Sequence, residues 1–112
     1  MTGSLSNIHA DLMKILTDLE AYMEFELHVD SGYRDPQHNQ DVGGVPDSEH
    51  KDDPAQGADV FCRRSPTRFK IVCWLLARGV RRIGIGNTFI HIGISQDLPQ
   101  DVMWTYYPDA EA

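Results

Sequence analysis

The sequence predicts an α+β fold in which a small, mainly antiparallel sheet packs against two helices. Two segments, near residues 7–23 and 65–78, carry apolar residues at helical spacing. Five shorter segments have the composition or the alternation of strands. Their order is helix, strand, long loop, strand, helix and three strands, which favours α+β over a parallel α/β sheet. The 112 residues suit one domain that spans residues 1–112.

The first helix is predicted to end near Met23. Ser6 or Asn7 is its predicted N-cap, because both side chains carry an oxygen that accepts from the first turn. The apolar stripe consists of Leu12, Ile15, Leu16, Leu19 and Met23. This spacing is typical of a helix with one face on the core. Residues 1–5 are predicted to be a frayed start.

Residues 25–30 switch to a period of two and predict a half-buried strand. Phe25, Leu27 and Val29 share one face of that strand. Gly32 permits the turn that ends it. The next segment, residues 35–56, is polar and longer than the roughly 12–15 residues of ordinary loops, so we expect a functional lid or wall there.

The second helix is predicted to start at Ser65-Pro66, a capping residue followed by a proline at the first helical position. Its apolar stripe consists of Phe69, Val72, Cys73 and Leu76, widened by Ile71, Trp74 and Leu75. We therefore expect it to be buried on much of its circumference. Gly79 is its predicted C-terminal stop.

The remaining strands are predicted before and after this helix, at residues 58–62, 82–86, 88–94 and 102–107. In the strand of residues 88–94, one face carries Ile90, Ile92 and Ile94, and the opposite face carries Phe89, His91 and Gly93. Since isoleucines face a core, His91 is predicted to point away from it. Gly84-Ile85-Gly86 lacks the third glycine and the following helix of a phosphate-binding loop.

Composition excludes several classes of function. The formal charge of -7 argues against a nucleic-acid partner, which requires clustered basic residues. No apolar run approaches the roughly 20 residues of a membrane span. The N-terminus shows no basic region followed by an apolar core, so we predict no secretory signal and expect synthesis in the cytoplasm. Cys62 and Cys73 lie in apolar sequence and are predicted to be buried free thiols.

His50, Asp59 and His91 are the candidate metal ligands. Catalytic zinc usually takes three protein ligands, and two histidines with one aspartate are an acceptable set. A carboxylate in the apolar surroundings of Asp59 needs a partner, for which a cation is suitable. Taken singly, each residue also fits a bland role: a surface histidine, a turn acid and a hydrogen-bonded strand histidine. Spacing alone therefore suggests zinc without requiring it.

Several ordered motifs resemble the M15 peptidase family. They are Ser31-Gly32-Tyr33-Arg34, Asn39, Gly43-Gly44, Ser48-x-His50, Gly57-Ala58-Asp59-Val60, Arg82-Ile83-Gly84-Ile85 and Phe89-Ile90-His91-Ile92, with Pro99-Gln100-x-Val102-x-Trp104 near the end. The resemblance covers about residues 25–107. This family comprises zinc D-Ala-D-Ala carboxypeptidases and phage endolysin-type peptidases with the Hedgehog/DD-peptidase fold, and that fold is the expectation here.

The resemblance implies zinc (Zn²⁺) bound by His50, Asp59 and His91. It makes Arg34 the partner of a substrate carboxylate or carbonyl, a role that a planar, permanently charged fork suits. Ser48 would orient the first ligand or the substrate through its hydroxyl. The implied substrate is the stem peptide of bacterial peptidoglycan, cut next to a D-amino acid. We expect a monomer, encoded by a phage and acting on the cell wall.

The sequence departs from the family pattern at the ligands and at the base. Eight residues rather than the usual six separate His50 from Asp59, which leaves Asp52 and Asp53 as rival ligands. The Gly-Ala-Asp-Val match favours Asp59.

Many members place an acidic residue three positions before the last histidine, where Thr88 stands. The phage-type branch often places an aspartate two positions after it, where Gly93 stands. The general base is therefore open among four candidates, which are Glu49, Asp52, Asp53 and His28.

Overall fold

The computed structural model describes residues 1–35 and 48–106. Its strands are β1 (Thr2–Gly3), β2 (His28–Ser31), β3 (Gly57–Phe61), β4 (Arg82–Ile85), β5 (Phe89–Gly93) and β6 (Val102–Thr105). Its helices are α1 (Ala10–Met23) and α2 (Ser65–Arg78), with a short 3₁₀ helix at Glu49–Lys51. The fold is α+β, as predicted, and no helix in these ranges is long and apolar enough to cross a membrane.

The six strands form one sheet in the order β1-β2-β3-β5-β4-β6. The central pairs, β2 with β3, β3 with β5, and β5 with β4, are antiparallel. Both edge pairs, β1 with β2 and β4 with β6, are parallel. The sheet is therefore mixed, and the prediction of a mainly antiparallel sheet was wrong. The alternation of residues along a strand identifies its two faces but not its direction relative to a neighbouring strand. The pattern therefore could not distinguish parallel from antiparallel pairs.

The start of the chain is ordered, so the prediction that residues 1–5 are frayed was wrong. The Thr2 N–H donates to the Leu27 carbonyl at 2.9 Å, and the Ser4 N–H donates to the Val29 carbonyl at 2.9 Å. The N-terminal ammonium lies 2.8 Å from Glu20 Oε2. These contacts hold β1 at the edge of the sheet. Strand β1 has only two residues, which is too few to show a periodic pattern in the sequence.

Helix α1 presents the predicted stripe to the core. Leu12, Leu16 and Leu19 are fully buried, with Ile15 and Met23 packed against them. The helix begins at Ala10, later than a Ser6 or Asn7 cap would place it, and the His9 side chain accepts the Asp11 N–H at 3.1 Å. Asn7 instead adopts a left-handed φ of 54° and donates to Asp53 Oδ1 at 2.9 Å.

Helix α2 is buried on a narrower and different face than predicted. Only Ile71 and Leu75 are buried, whereas Phe69 is 73% exposed and Leu76 is 55% exposed. Cys73 is exposed, so only Cys62 fits the prediction of a buried thiol. Apolar residues surround much of this helix, and periodicity therefore did not identify the contact face. Gly79 ends the helix with a φ of 94°, as predicted.

Strand β5 separates the core from the site. Ile90 and Ile92 are fully buried in the core that includes the α1 and α2 leucines, as the alternation predicted. Alternate residues of β5 therefore lie on the opposite face of the sheet. The predicted lid of residues 35–56 falls largely on residues 36–47, outside the described part of the chain, as does the predicted end of the last strand at Tyr107.

Candidate metal centre

Three elements bring the predicted ligands together. His50 comes from the 3₁₀ helix, Asp59 from β3 and His91 from β5. Asp59 and His91 are directly opposed in the antiparallel β3–β5 ladder, so their side chains share one face of the sheet. Ser48 caps the 3₁₀ helix by accepting the His50 N–H at 3.2 Å, which holds His50 over that face.

The Asp59 carboxylate lies between the two imidazoles. His50 Nε2 is 3.1 Å from Asp59 Oδ1, and His91 Nδ1 is 2.9 Å from the same oxygen. All three residues are buried, at 3%, 6% and 2% exposure respectively. One donor atom from each lies within 4.8 Å of the others, and no second such group of His, Cys, Asp or Glu occurs in residues 1–35 and 48–106.

The outer nitrogen of each histidine has its own partner. His50 Nδ1 lies 2.7 Å from the Gly32 carbonyl oxygen, and His91 Nε2 lies 2.9 Å from Glu49 Oε1. A carbonyl and an ionised carboxylate only accept, so both outer nitrogens carry the proton. With its outer nitrogen held in this way, each ring has its inner nitrogen, Nε2 of His50 and Nδ1 of His91, free to offer a lone pair once a metal ion displaces any proton there. This is the orientation that metal-binding histidines require.

The arrangement passes a chemical test for a metal ion. Two inner lone pairs and a carboxylate oxygen within hydrogen-bond distance would repel one another unless a proton or a cation lies between them. Two imidazole nitrogens and one carboxylate oxygen form a donor set that zinc accepts. His50, Asp59 and His91 therefore fit a divalent metal ion, and zinc among such ions.

Without a metal, protons supply the missing positive charge. Burial alone would raise the pKa of Asp59, but hydrogen bonds from His50 and His91 outweigh it and lower the pKa to about 2. Burial alone would lower the pKa of His91, but its contacts with Asp59 and Glu49 outweigh it and raise the pKa. The site therefore favours positive charge between its donor atoms.

Arg34 lies at the edge of this centre. Its Nη2 is 3.7 Å from Asp59 Oδ2, and its Nε donates to Ser31 Oγ at 3.0 Å. The Arg34 N–H donates to the His50 carbonyl at 2.7 Å. These contacts place a mostly buried guanidinium beside the ligands. The resemblance assigned substrate binding to this residue.

The structure distinguishes the four candidates for the general base by their contacts. Asp53 accepts from Asn7, and His28 is an exposed residue that contacts Thr2. Asp52, at the end of the 3₁₀ helix, is not a member of the ligand group found in the described ranges, nor is Asp53. Glu49 alone of the four contacts a candidate ligand, His91.

Glu49 is 2% exposed and has three partners. Besides His91, its Oε2 accepts the Ser95 N–H at 2.9 Å and lies 3.0 Å from Arg82 Nε. The Arg82 N–H does not point at that oxygen, so this contact is an ion pair rather than an aligned hydrogen bond. Burial would raise the pKa of Glu49, but these partners outweigh it and lower the pKa.

Aromatic rings complete one wall of the site, and the sequence prediction missed them. Trp104 lies 5.5 Å from the His91 ring and Tyr106 lies 6.3 Å from it, between ring centroids. The available signal was Gly84, because a glycine between isoleucines in a strand marks a close approach. A Cβ there would lie 2.6 Å from Tyr106 and 2.9 Å from Trp104.

The fold and the site define an α+β domain with a candidate metal centre of two histidines and one aspartate. The chain belongs to the peptidase M15 family, whose sequence profile matches residues 2–93. That membership supports a peptidase and agrees with the family that the motifs predicted. No curated protein and no solved structure matches the chain significantly.

Proposed function

We propose that this protein is a zinc peptidase that hydrolyses a peptide bond of bacterial peptidoglycan next to a D-amino acid. The observation that carries the proposal is the orientation of the two histidines. Both rings turn their inner nitrogens toward Asp59 because their outer nitrogens are held by Gly32 and Glu49. The family supplies the reaction, peptide hydrolysis.

The ligand residues would hold zinc through His50 Nε2, Asp59 and His91 Nδ1. Zinc in such a site acts as a Lewis acid toward a carbonyl and toward water. The chain itself holds the ligands in place, since Ser48 and Gly32 fix His50 and Glu49 fixes His91. The β3–β5 ladder places Asp59 opposite His91. Such preorganisation reduces the structural change that binding requires.

Substrate binding is assigned to Arg34 and the aromatic wall. A guanidinium beside Asp59 suits a peptide carboxylate or carbonyl, since its planar fork donates two parallel hydrogen bonds. Trp104 and Tyr106 cover the His91 ring and limit the access of water on that side. The peptidoglycan stem peptide is proposed from the resemblance of the motifs. The single-domain, monomeric state and a phage-encoded, cytoplasmic origin stay predictions.

The test combines metal analysis with hydrolysis. Protein purified without a histidine tag should contain zinc near one equivalent and should release new amino termini from purified peptidoglycan. His91→Ala should abolish both, whereas His28→Ala, in an exposed histidine outside the site, should retain both. Less than about half an equivalent of zinc under loading conditions would contradict the metal assignment. Zinc binding without new amino termini would contradict hydrolysis alone.

A metal-stabilised binding module of the same fold is the second candidate. The specific observation in its favour is that Glu49, the one base candidate that contacts a ligand, is committed to His91, Ser95 and Arg82. Under this alternative, zinc-loaded protein retains muropeptides in a binding assay without turnover. Hydrolysis that disappears in His91→Ala would exclude it.

A further inference from the structure

We infer that Glu49 is a positioning residue that orients His91 for the metal, and that Gly57 and Gly93 are glycines because Glu49 occupies their side-chain space. The inference rests on the proposed metal site. It concerns the assembly of that site rather than the reaction.

The first support is the position of Glu49 relative to His91. Its Oε1 lies 2.9 Å from Nε2, whereas Asp59 lies beside Nδ1, on the other side of the ring. A carboxylate on the outer nitrogen fixes the tautomer and the ring orientation and raises the basicity of the inner nitrogen. Glu49 therefore acts through His91, and its carboxylate does not face the donor atoms that converge at Asp59.

The second support is that the Glu49 carboxylate is enclosed by its partners and is sealed from solvent. Its side chain is 1% exposed, and its second oxygen accepts from Ser95 and faces Arg82. A general base must exchange its proton with substrate or water. A sealed carboxylate with three committed partners suits a fixed orienting role instead.

The third support is the space that two glycines leave. A Cβ on Gly93 would lie 2.1 Å from Glu49 Oε1, and its three nearest atoms all belong to the Glu49 carboxylate group. A Cβ on Gly57 would lie 2.7 Å from Glu49 Cβ and 2.7 Å from His91 Cε1. Gly57 and Gly93 are directly paired across β3 and β5. This pair opens a slot in the sheet face that the Glu49 side chain fills from the 3₁₀ helix.

The geometry also predicts that the carboxylate can be supplied from position 93. Gly93 is not at a positive φ, so a side chain there causes no backbone strain. A Cβ at position 93 would lie 2.1 Å from the position that Glu49 Oε1 occupies, on the same face of the strand as His91. An aspartate at position 93 should therefore replace Glu49 if Glu49 is removed, and should conflict with Glu49 if it is retained.

Zinc affinity, measured by competition with a zinc-binding dye, tests the inference without turnover. Glu49→Ala should weaken zinc binding by about 10–100-fold, the usual effect of losing a partner of a metal-bound histidine. Glu49→Gln should also weaken it, because His91 and Ser95 contact different carboxylate oxygens and one of those positions becomes an NH2 donor. The double variant Glu49→Ala/Gly93→Asp should recover most of the affinity, whereas Gly93→Asp alone should lose it. Glu26→Ala and Glu26→Gln, in an exposed glutamate, are the matched controls.

The outcomes separate this inference from the proposed function. Unchanged zinc affinity in both Glu49 variants would overturn the inference while leaving the peptidase proposal intact. Normal zinc affinity in Glu49→Gln together with lost hydrolysis would overturn it in favour of a proton-transfer role. A lack of rescue by Gly93→Asp in a folded double variant would also count against it. Zinc binding without hydrolysis in the wild type would contradict the proposed peptidase activity. The zinc-affinity measurements would still test the positioning role of Glu49.

Discussion

Asp59 and His91 occupy directly opposed positions of the β3–β5 ladder, with Asp59 Oδ1 2.9 Å from His91 Nδ1. The two residues are 32 positions apart in sequence. The ladder therefore fixes their separation, and His50 reaches them from the 3₁₀ helix. Two of the three candidate ligands lie on the paired central strands of the sheet, as suits a preorganised metal site.

Removing Arg82 from its buried pair with Glu49 should destabilise the fold more than removing Arg81 from its exposed pair with Asp101. Arg82→Ala removes the counter-charge of a buried carboxylate, and breaking such a pair typically costs about 3–5 kcal/mol. Because His91 and Ser95 still bind Glu49, we expect about 3 kcal/mol, at the lower end. Arg81→Ala, which breaks an exposed pair with Asp101, is the matched control and should change little. Urea unfolding of both variants measures the difference, and equal midpoints would contradict it.

The stability of the metal-free protein should fall as the pH rises above about 6.5, the ordinary pKa of histidine. The pKa of His91 is raised above its ordinary value of 6.5 by Asp59 and Glu49. Below that value both the folded and the unfolded chain carry the proton. As the pH rises, the unfolded chain releases it first, so the folded state binds more protons and loses its advantage progressively.

Urea unfolding with a chelator present, at several pH values, measures this dependence. His91→Gln should flatten the slope, and an equal slope in wild type and variant would contradict the assignment to His91. Zinc-loaded protein should show the opposite trend, since zinc requires neutral histidines and binds more tightly as protons leave.

Gly57→Ala should destabilise the fold and weaken zinc binding together. The new methyl group would lie 2.7 Å from Glu49 Cβ and from His91 Cε1, and both side chains are buried. Overpacking of this kind costs about 1–3 kcal/mol. Gly84→Ala is the comparison, because its methyl group meets the rings of Trp104 and Tyr106 rather than Glu49 or His91. Tyr106 is 49% exposed and has room to move outward.

Denaturation and dye competition on the same preparations compare the two glycine variants. We expect the larger loss of zinc affinity in Gly57→Ala, because only its methyl group meets Glu49 and His91 directly. A stable Gly57→Ala variant with wild-type zinc affinity would show that the slot around Glu49 is wider than the structure indicates.

Arg34→Lys should impair substrate binding while leaving the metal in place. Lysine retains the charge but loses the planar fork. A hydrogen bond to a charged group contributes about 1.5–3 kcal/mol, so KM for a peptide with a free carboxylate should rise by roughly 10–100-fold. The kcat value and the zinc content should change less. Arg63→Lys, at an exposed arginine, is the control. A fall in zinc content would assign Arg34 to the metal site instead.

Part of the fold followed from the sequence because local periodicity encodes it. The stripe of α1 and the alternation of β5 identified which residues face the core. The alternation also correctly predicted that His91 lies on the face opposite Ile90 and Ile92. The chemistry of the residue types, with the ordered motifs, selected His50, Asp59 and His91, which the structure brings within 4.8 Å. These inferences depend on neighbours in sequence or on motif identity, so they did not require the tertiary structure.

Other features depended on contacts between distant segments. The parallel edge strands β1 and β6, and the burial of Ile71 and Leu75 rather than Phe69 and Leu76, were decided by what each element meets in space. The sequence offered Glu49 only as one of several candidate bases. Its contact with the outer nitrogen of His91 exists because the backbones of Gly57 and Gly93 lie side by side in the sheet, a pairing between residues that are 36 positions apart.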